Sequence, residues 1–196
     1  FIDDGVGRIL RKLEDTGLAD NTIVIFTADH GDLLGDHGLY LKGPTPYEGL
    51  LRLGFIAQGP GIGKNRIVNE PVSSLDLAAS FYDWADIERP AEIQSRTLRT
   101  MLEGGPETRD VAYCEWNQQP SRTGVELNLR TVRTKTAKLT LELISGAGEL
   151  YDLSDDPDEM INRFDDPGKK ALQSELKDMI SERPGPVVEQ LPAHEA

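Results

Sequence analysis

Apolar residues recur at helical spacing at Ile2, Val6, Ile9, Leu10 and Leu13, one stripe among charged neighbours, so the chain opens in an amphipathic helix. Gly17 is placed to end that helix as its C-terminal cap. After Asp20-Asn21 comes Thr22-Ile-Val-Ile-Phe26, an unbroken β-branched and aromatic run. Such a run predicts a strand buried on both faces, as in a parallel sheet covered by helices. Helix, short turn and strand together make an α/β unit. Residues 29–49 then follow no period and are rich in Gly, Pro and charge. Connections this long in compact domains are usually functional. Leu53–Ala57 reads as a second strand, ended by the turn formers Gly59-Pro60-Gly61. Ser73 or Ser74 caps a further helix that puts Leu77, Ala78, Phe81 and Trp84 on one face, until Arg89-Pro90 breaks it.

From about residue 95 the pattern changes to short segments, several alternating apolar and polar: 111–116, 126–133, 138–143 and 149–153. They predict an antiparallel sheet with one solvated face, with residues 133–138 as a hairpin. A last helix over 169–181 turns Leu172, Leu176, Met179 and Ile180 toward that sheet. The tail from Arg183 carries three prolines and is expected to have no fixed structure. The expected organisation is an α/β part over 1–94, a small α+β domain over 95–182 and a flexible tail over 183–196. Phe1 stands mid-pattern inside the first helix with no Met, so the natural N-terminus is expected upstream.

Composition narrows the partners. The chain has 196 residues and a formal net charge of −13. With no Lys/Arg stripe to displace counterions, nucleic acid is excluded as a partner, and anionic membrane surfaces are disfavoured. No apolar stretch reaches the roughly 18 residues of a membrane span. The single cysteine, Cys114, rules out an intrachain disulfide framework. That fits a reducing cytoplasm without excluding the periplasm, and a homo-oligomer is left open.

Chemistry concentrates in Thr27-Ala-Asp-His-Gly-Asp-Leu-Leu-Gly-Asp-His-Gly-Leu-Tyr-Leu-Lys42. Asp29 and His30 follow the carboxyl end of a predicted strand, the edge where open α/β sheets bind ligands. An Asp-His pair there can offer a carboxylate oxygen and an imidazole nitrogen to one cation, and Gly31 lets the backbone turn sharply beside it. Two of the three histidines, His30 and His37, fall in this one loop.

This loop, followed by Tyr47-Glu48 and a strand ending at Gly59-Pro-Gly61, closely resembles the C-terminal half of type I sulfatases of the alkaline phosphatase superfamily. Asp3-Asp4-Gly5-Val6-Gly7, residues 18–26, Pro71–Ala78 and Glu149-Leu-Tyr-Asp-Leu…Asp156-Pro-Asp-Glu159, with Asn162, extend the resemblance over about residues 3–167. It implies an alkaline phosphatase-like α/β sandwich portion followed by a small antiparallel sheet with a packed C-terminal helix. Asp29 and His30 then correspond to two ligands of a single divalent metal, usually calcium. Many members have Asn at the second position, and an imidazole there admits manganese or zinc. Lys42 corresponds to the lysine that binds the sulfate of a small-molecule sulfate ester, and His37 lines the pocket. The implied nucleophile is a formylglycine made in a C-x-P-x-R or S-x-P-x-R context, which Cys114-Glu-Trp-Asn-Gln does not match. Nor does the chain offer the paired aspartates that complete the family's metal site. The expectation is a C-terminal portion with half a metal site, whose parent hydrolyses sulfate esters while the isolated chain is inactive. A phosphonate monoester or phosphodiester hydrolase of the same superfamily, or a non-catalytic binding or assembly remnant, are the alternatives. Asp32 and Asp36 read as turn carboxylates, Cys114 as a half-buried thiol within a strand, and His194 as an inert tail residue. The acidic stretch Asp152–Glu159 lacks the spacing and central Gly of a calcium loop, and reads as a solvated turn.

Overall fold

The first helix, α1, runs Ile2–Asp15, with Asp3 and Asp4 in its first turn and Lys12 in its last, each complementing the helix dipole. Gly17 takes up the chain at φ +68°, its N–H donating to the Glu14 carbonyl at 3.0 Å. The first strand, β1 (Val24–Phe26), pairs antiparallel with β2 (Ile56–Gln58), Ile25 opposite Ala57. The expected strand buried on both faces of a parallel sheet is therefore not what these residues form. Val24 and Ile25 are half-buried and Phe26 is 47% exposed. Burying both faces of a sheet takes an apolar layer on each side, and α1 has no buried residue. The short helix α2 (Glu48–Leu51) lies between the two strands in sequence. The computed structural model describes residues 1–106 and 109–184. Most of the proline-bearing tail, His194 included, lies outside them.

The described residues divide into two compact units, Phe1–Glu70 with Leu98–Arg109, and Pro71–Thr97 with the residues from Asp110 onward. The first unit includes α4 (Arg99–Leu102), after the second unit's α3 (Asp76–Trp84) in sequence. The α3 helix begins at Asp76 with Leu75 rather than a serine at its N-cap, and Ser73 instead braces the turn that leads into it. Ser73 N–H donates to Asp76 Oδ2 at 2.8 Å, and Ser73 Oγ accepts from Leu75 N–H at 3.3 Å. The buried face, however, is Asp76, Ala79 and Ser80 rather than Leu77, Ala78, Phe81 and Trp84. Phe81 and Trp84 do share a side, ring centroids 6.5 Å apart, but Phe81 is 54% exposed. Asp76 goes inside because its carboxylate is satisfied there: Oδ1 also accepts from Arg96 N–H at 3.2 Å.

In the second unit, β3 (Val111–Gln118), the one-turn helix α5 (Pro120–Thr123), β4 (Leu127–Thr134), β5 (Ala137–Glu142) and β6 (Gly148–Asp152) follow in order. The strands form a four-stranded antiparallel meander in sequence order, as the alternation predicts. The hairpin at Lys135-Thr136 is held by Thr134 Oγ1, which accepts from Ala137 N–H at 3.1 Å. The last helix, α6 (Lys170–Glu182), places Leu176 and Ile180 against Val132, Ala137, Leu139 and Leu150. Alternate apolar residues thus make the core, while Leu172 and Met179 pack at its margin. Asn162 closes the outer edge of β6, its side chain accepting from Leu150 N–H at 3.0 Å and donating to Gly148 O at 3.2 Å.

The acidic stretch departs from its expected solvated turn at both ends, and at the first Asp152 closes β6 and ion-pairs with Lys169 at 2.8 Å. Asp156 does cap the turn, accepting from Met160 and Ile161 N–H at 3.0 and 2.8 Å. Glu159 is instead buried, 3% exposed, and ion-pairs with Lys138 of β5, itself 1% exposed. Spacing along one strand does not show which distant carboxylate its lysine will meet.

Candidate active site

The loop after β1 carries its own framework. Leu33, 2% exposed, is its apolar anchor. Leu33 N–H donates to Leu41 O at 3.0 Å, Gly35 N–H to Leu39 O at 2.8 Å, and Asp36 N–H to Leu33 O at 2.7 Å. Asp32 acts as the turn carboxylate expected, its Oδ1 accepting from Leu34 N–H at 3.0 Å. Leu34, His37 and Leu41 take left-handed φ values of 46°, 53° and 65°, a cost carried in a segment closed by these bonds. Gly31 docks the loop's start on α2. Its N–H donates to Leu50 O at 2.9 Å, and a Cβ at this position would run into the Gly49 carbonyl oxygen.

This framework brings Asp29, His30 and Lys42 together. His30 Nδ1 lies 2.7 Å from Gly31 O, and its Nε2 lies 2.6 Å from Lys42 Nζ. A carbonyl oxygen only accepts and an ammonium only donates, which assigns the proton to Nδ1 and the ring lone pair to Nε2. Asp29 Oδ2 stands 3.5 Å from the same Nε2. Asp29 Oδ1 accepts from His30 N–H at 3.0 Å. Backbone hydrogen bonding, from His30 first, together with the nearby His30 and Lys42, holds the Asp29 carboxyl below its usual range, so it is anionic at neutral pH. All three side chains are solvent-exposed. The imidazole lone pair thus faces Lys42 Nζ at 2.6 Å, with the Asp29 carboxylate 3.5 Å from the same nitrogen.

The model for the family "Sulfatase" matches residues 1–87. An uncharacterized sulfatase of Escherichia coli is 33% identical over 180 residues, covering 92% of this chain and 35% of the relative. A solved 2-O GAG sulfatase superposes with a TM-score of 0.84 at 30% identity, over 92% of this chain and 40% of its own. The chain belongs to the sulfatase family. It is a type I sulfatase chain of the alkaline phosphatase superfamily. A phosphonate monoester hydrolase from Silicibacter pomeroyi also superposes, TM-score 0.82 at 26% identity over 92% of this chain and 38% of its own. The chain spans between about a third and two-fifths of the length of these proteins.

The divalent metal implied for a sulfatase suits the donors present. Metal-binding imidazoles commonly bond their second nitrogen to a backbone carbonyl, which fixes the tautomer, and His30 does so through Gly31 O. Asp29 adds an ionised oxygen donor. Among the described residues no group of three or more His, Cys, Asp and Glu side chains is arranged to hold a metal.

His37 is engaged differently from the other three. Its ring stacks on Tyr47, centroids 3.8 Å apart and planes 9° from parallel. The Tyr47 partnership was not legible from spacing, because it joins positions ten apart across an irregular loop. Gly49, whose Cβ would meet Asp36 Oδ2 at 2.9 Å, was likewise unmarked by any sequence pattern. Cys114 is half-buried in β3 as expected, and burial pushes its thiol pKa up, which disfavours the reactive thiolate.

Proposed function

We propose that this chain carries part of the active site of an enzyme that hydrolyses sulfate esters, with Asp29 and His30 as metal ligands and Lys42 as the sulfate-binding lysine. The observation that carries the reading is the approach of Asp29 Oδ2 and Lys42 Nζ to one lone pair, His30 Nε2, at 3.5 and 2.6 Å just beyond β1. A bound divalent metal, calcium in the first instance with manganese or zinc admitted by the imidazole, would act as Lewis acid and template. Asp29 and His30 would orient it through an anionic oxygen and a tautomer fixed by Gly31. Lys42, a compact cation, would bind the ester's sulfate and neutralise charge developing on the transferred group or the leaving oxygen. His37, held flat against Tyr47, would line the pocket.

No C-x-P-x-R or S-x-P-x-R context occurs in the 196 residues. The formylglycine nucleophile is therefore assigned to a segment N-terminal to this chain, and the isolated chain is expected to be catalytically silent. A second reading, phosphonate monoester or phosphodiester hydrolysis, is supported by the likeness to the Silicibacter pomeroyi enzyme and by the imidazole donor, which suits transition metals. The deciding experiment assays the complete protein on an aryl sulfate and an aryl phosphonate monoester, with its metal measured. A dominant sulfate rate supports the first reading; a dominant phosphonate rate selects the second. Asp29→Ala should abolish both metal retention and turnover, and unchanged turnover would refute the site.

A further inference from the structure

The contact of 2.6 Å between Lys42 Nζ and His30 Nε2 has a chemical consequence. Neutral imidazole has one lone pair, and here it lies on Nε2, since Nδ1–H is committed to Gly31 O at 2.7 Å. That lone pair can accept from an ammonium or bind a metal, but not both at once. Resting on the metal role proposed for Asp29 and His30, we infer that Lys42 is a built-in placeholder: without metal its ammonium occupies the cation position, and metal binding displaces it from His30.

The surroundings suit an exchange of cations. Asp29 Oδ2 lies 3.5 Å from Nε2, so the position keeps an anionic neighbour whichever cation is present. Gly31 O retains the Nδ1 proton throughout, so the exchange requires no change of tautomer. Lys42 directly follows Leu41, whose left-handed φ of 65° closes the loop against Leu33. The lysine's flexible stem can thus swing away while the backbone stays pinned. Displacement would deliver the ammonium to an incoming anion only once the metal is in place, which couples metal loading to readiness for substrate.

The test reads His30 rather than turnover. In the metal-free chain, the imidazole ¹⁵N signals are compared between the parent and Lys42→Met. The Nε2 signal should move and the Nδ1 signal should stay. Zinc, used as the probe ion at constant pH, is then titrated into the complete protein and into its Lys42→Met, Asp29→Asn and Lys64→Met variants. Removing a charged donor from the ligand lone pair should tighten zinc binding by about tenfold. Asp29→Asn should weaken it, and Lys64→Met, which removes the same charge outside the loop, should leave it unchanged. Equal tightening by Lys42→Met and Lys64→Met would reduce the effect to net charge and overturn the placeholder. An unmoved Nε2 signal, or unchanged affinity in Lys42→Met while Asp29→Asn still weakens binding, overturns the placeholder and leaves the metal role standing. Zinc binding indifferent to both Asp29→Asn and Lys42→Met, or absent altogether, overturns the metal role as well.

Discussion

At Gly31 the backbone passes so near α2 that its N–H reaches Leu50 O at 2.9 Å, and a Cβ would run into the Gly49 carbonyl. The same residue's carbonyl fixes the His30 tautomer through the Nδ1 contact at 2.7 Å. Structure and site chemistry therefore meet at one glycine. Gly31→Ala is expected to cost about 1–3 kcal/mol through overpacking and to loosen the His30–Lys42 contact. Denaturant unfolding together with the imidazole ¹⁵N spectrum checks both. A variant matching the parent in both would show that the loop can yield without disturbing His30. The need for a small residue was foreseen from the turn beside Asp29-His30. Its partner, the carbonyl of a residue eighteen positions away, was not.

Among the elements, the β5–β6 connection and the buried ion pair each depend on one carboxylate, half-buried in the first and fully buried in the second. Glu142, at the end of β5, accepts from Ser145 Oγ at 2.7 Å, Ser145 N–H at 2.6 Å and Asn128 N–H at 3.1 Å. These bonds, that from the Ser145 side chain foremost, lower its carboxyl pKa from 4.5 to about 2. A depressed folded-state pKa adds stability above the unfolded value of 4.5 that fades as pH falls through about 2. Protection of the Ser145 amide, measured against its intrinsic exchange rate at each pH, should therefore fall across that acid window in the parent. Glu142→Gln should exchange faster at neutral pH and lack the acid step; an identical acid profile would remove Glu142 as the cause. Lys138 and Glu159 are by contrast both buried. Removing either partner strands a charge, so Lys138→Met or Glu159→Gln alone should cost about 3–5 kcal/mol. The double variant should lose less than the sum, as measured by a denaturant double-mutant cycle. Additive losses would mean the pair is not coupled.

Over the whole molecule, burial is uneven. The second unit has an apolar cluster of Val132, Ala137, Leu139, Leu150, Leu176 and Ile180, while Phe1, Ile2, Ile9, Phe26 and Ile56 of the first unit, like Phe81, Ile87 and Met160 of the second, are exposed. Exposed apolar surface binds apolar dyes, so the folded chain should enhance the fluorescence of such a dye. Ile9→Lys, at a position 63% exposed, should reduce that signal while changing stability by no more than about 0.5 kcal/mol. A large loss of stability would mean that Ile9 is packed. None of the helices in the described residues is long and apolar enough to cross a membrane.

The sequence by itself determined what is local and periodic. The α1 stripe, the β-meander alternation, the Lys135-Thr136 hairpin and α6 all follow from side-chain spacing of 3.6 or 2, which needs no distant partner to be read. The irregular loop from Asp29 to Lys42 was likewise conspicuous, because breaking every period at a strand's end is itself a pattern. Only the tertiary structure decided which surfaces are covered and which side chains meet. It left the faces of β1 partly open, turned Asp76 rather than Phe81 inward, buried Glu159 against Lys138 and stacked His37 on Tyr47. It also set Lys42 on His30 across twelve positions. Each of these depends on contacts between residues far apart in the chain, for which spacing carries no signal and packing and hydrogen-bond satisfaction make the choice.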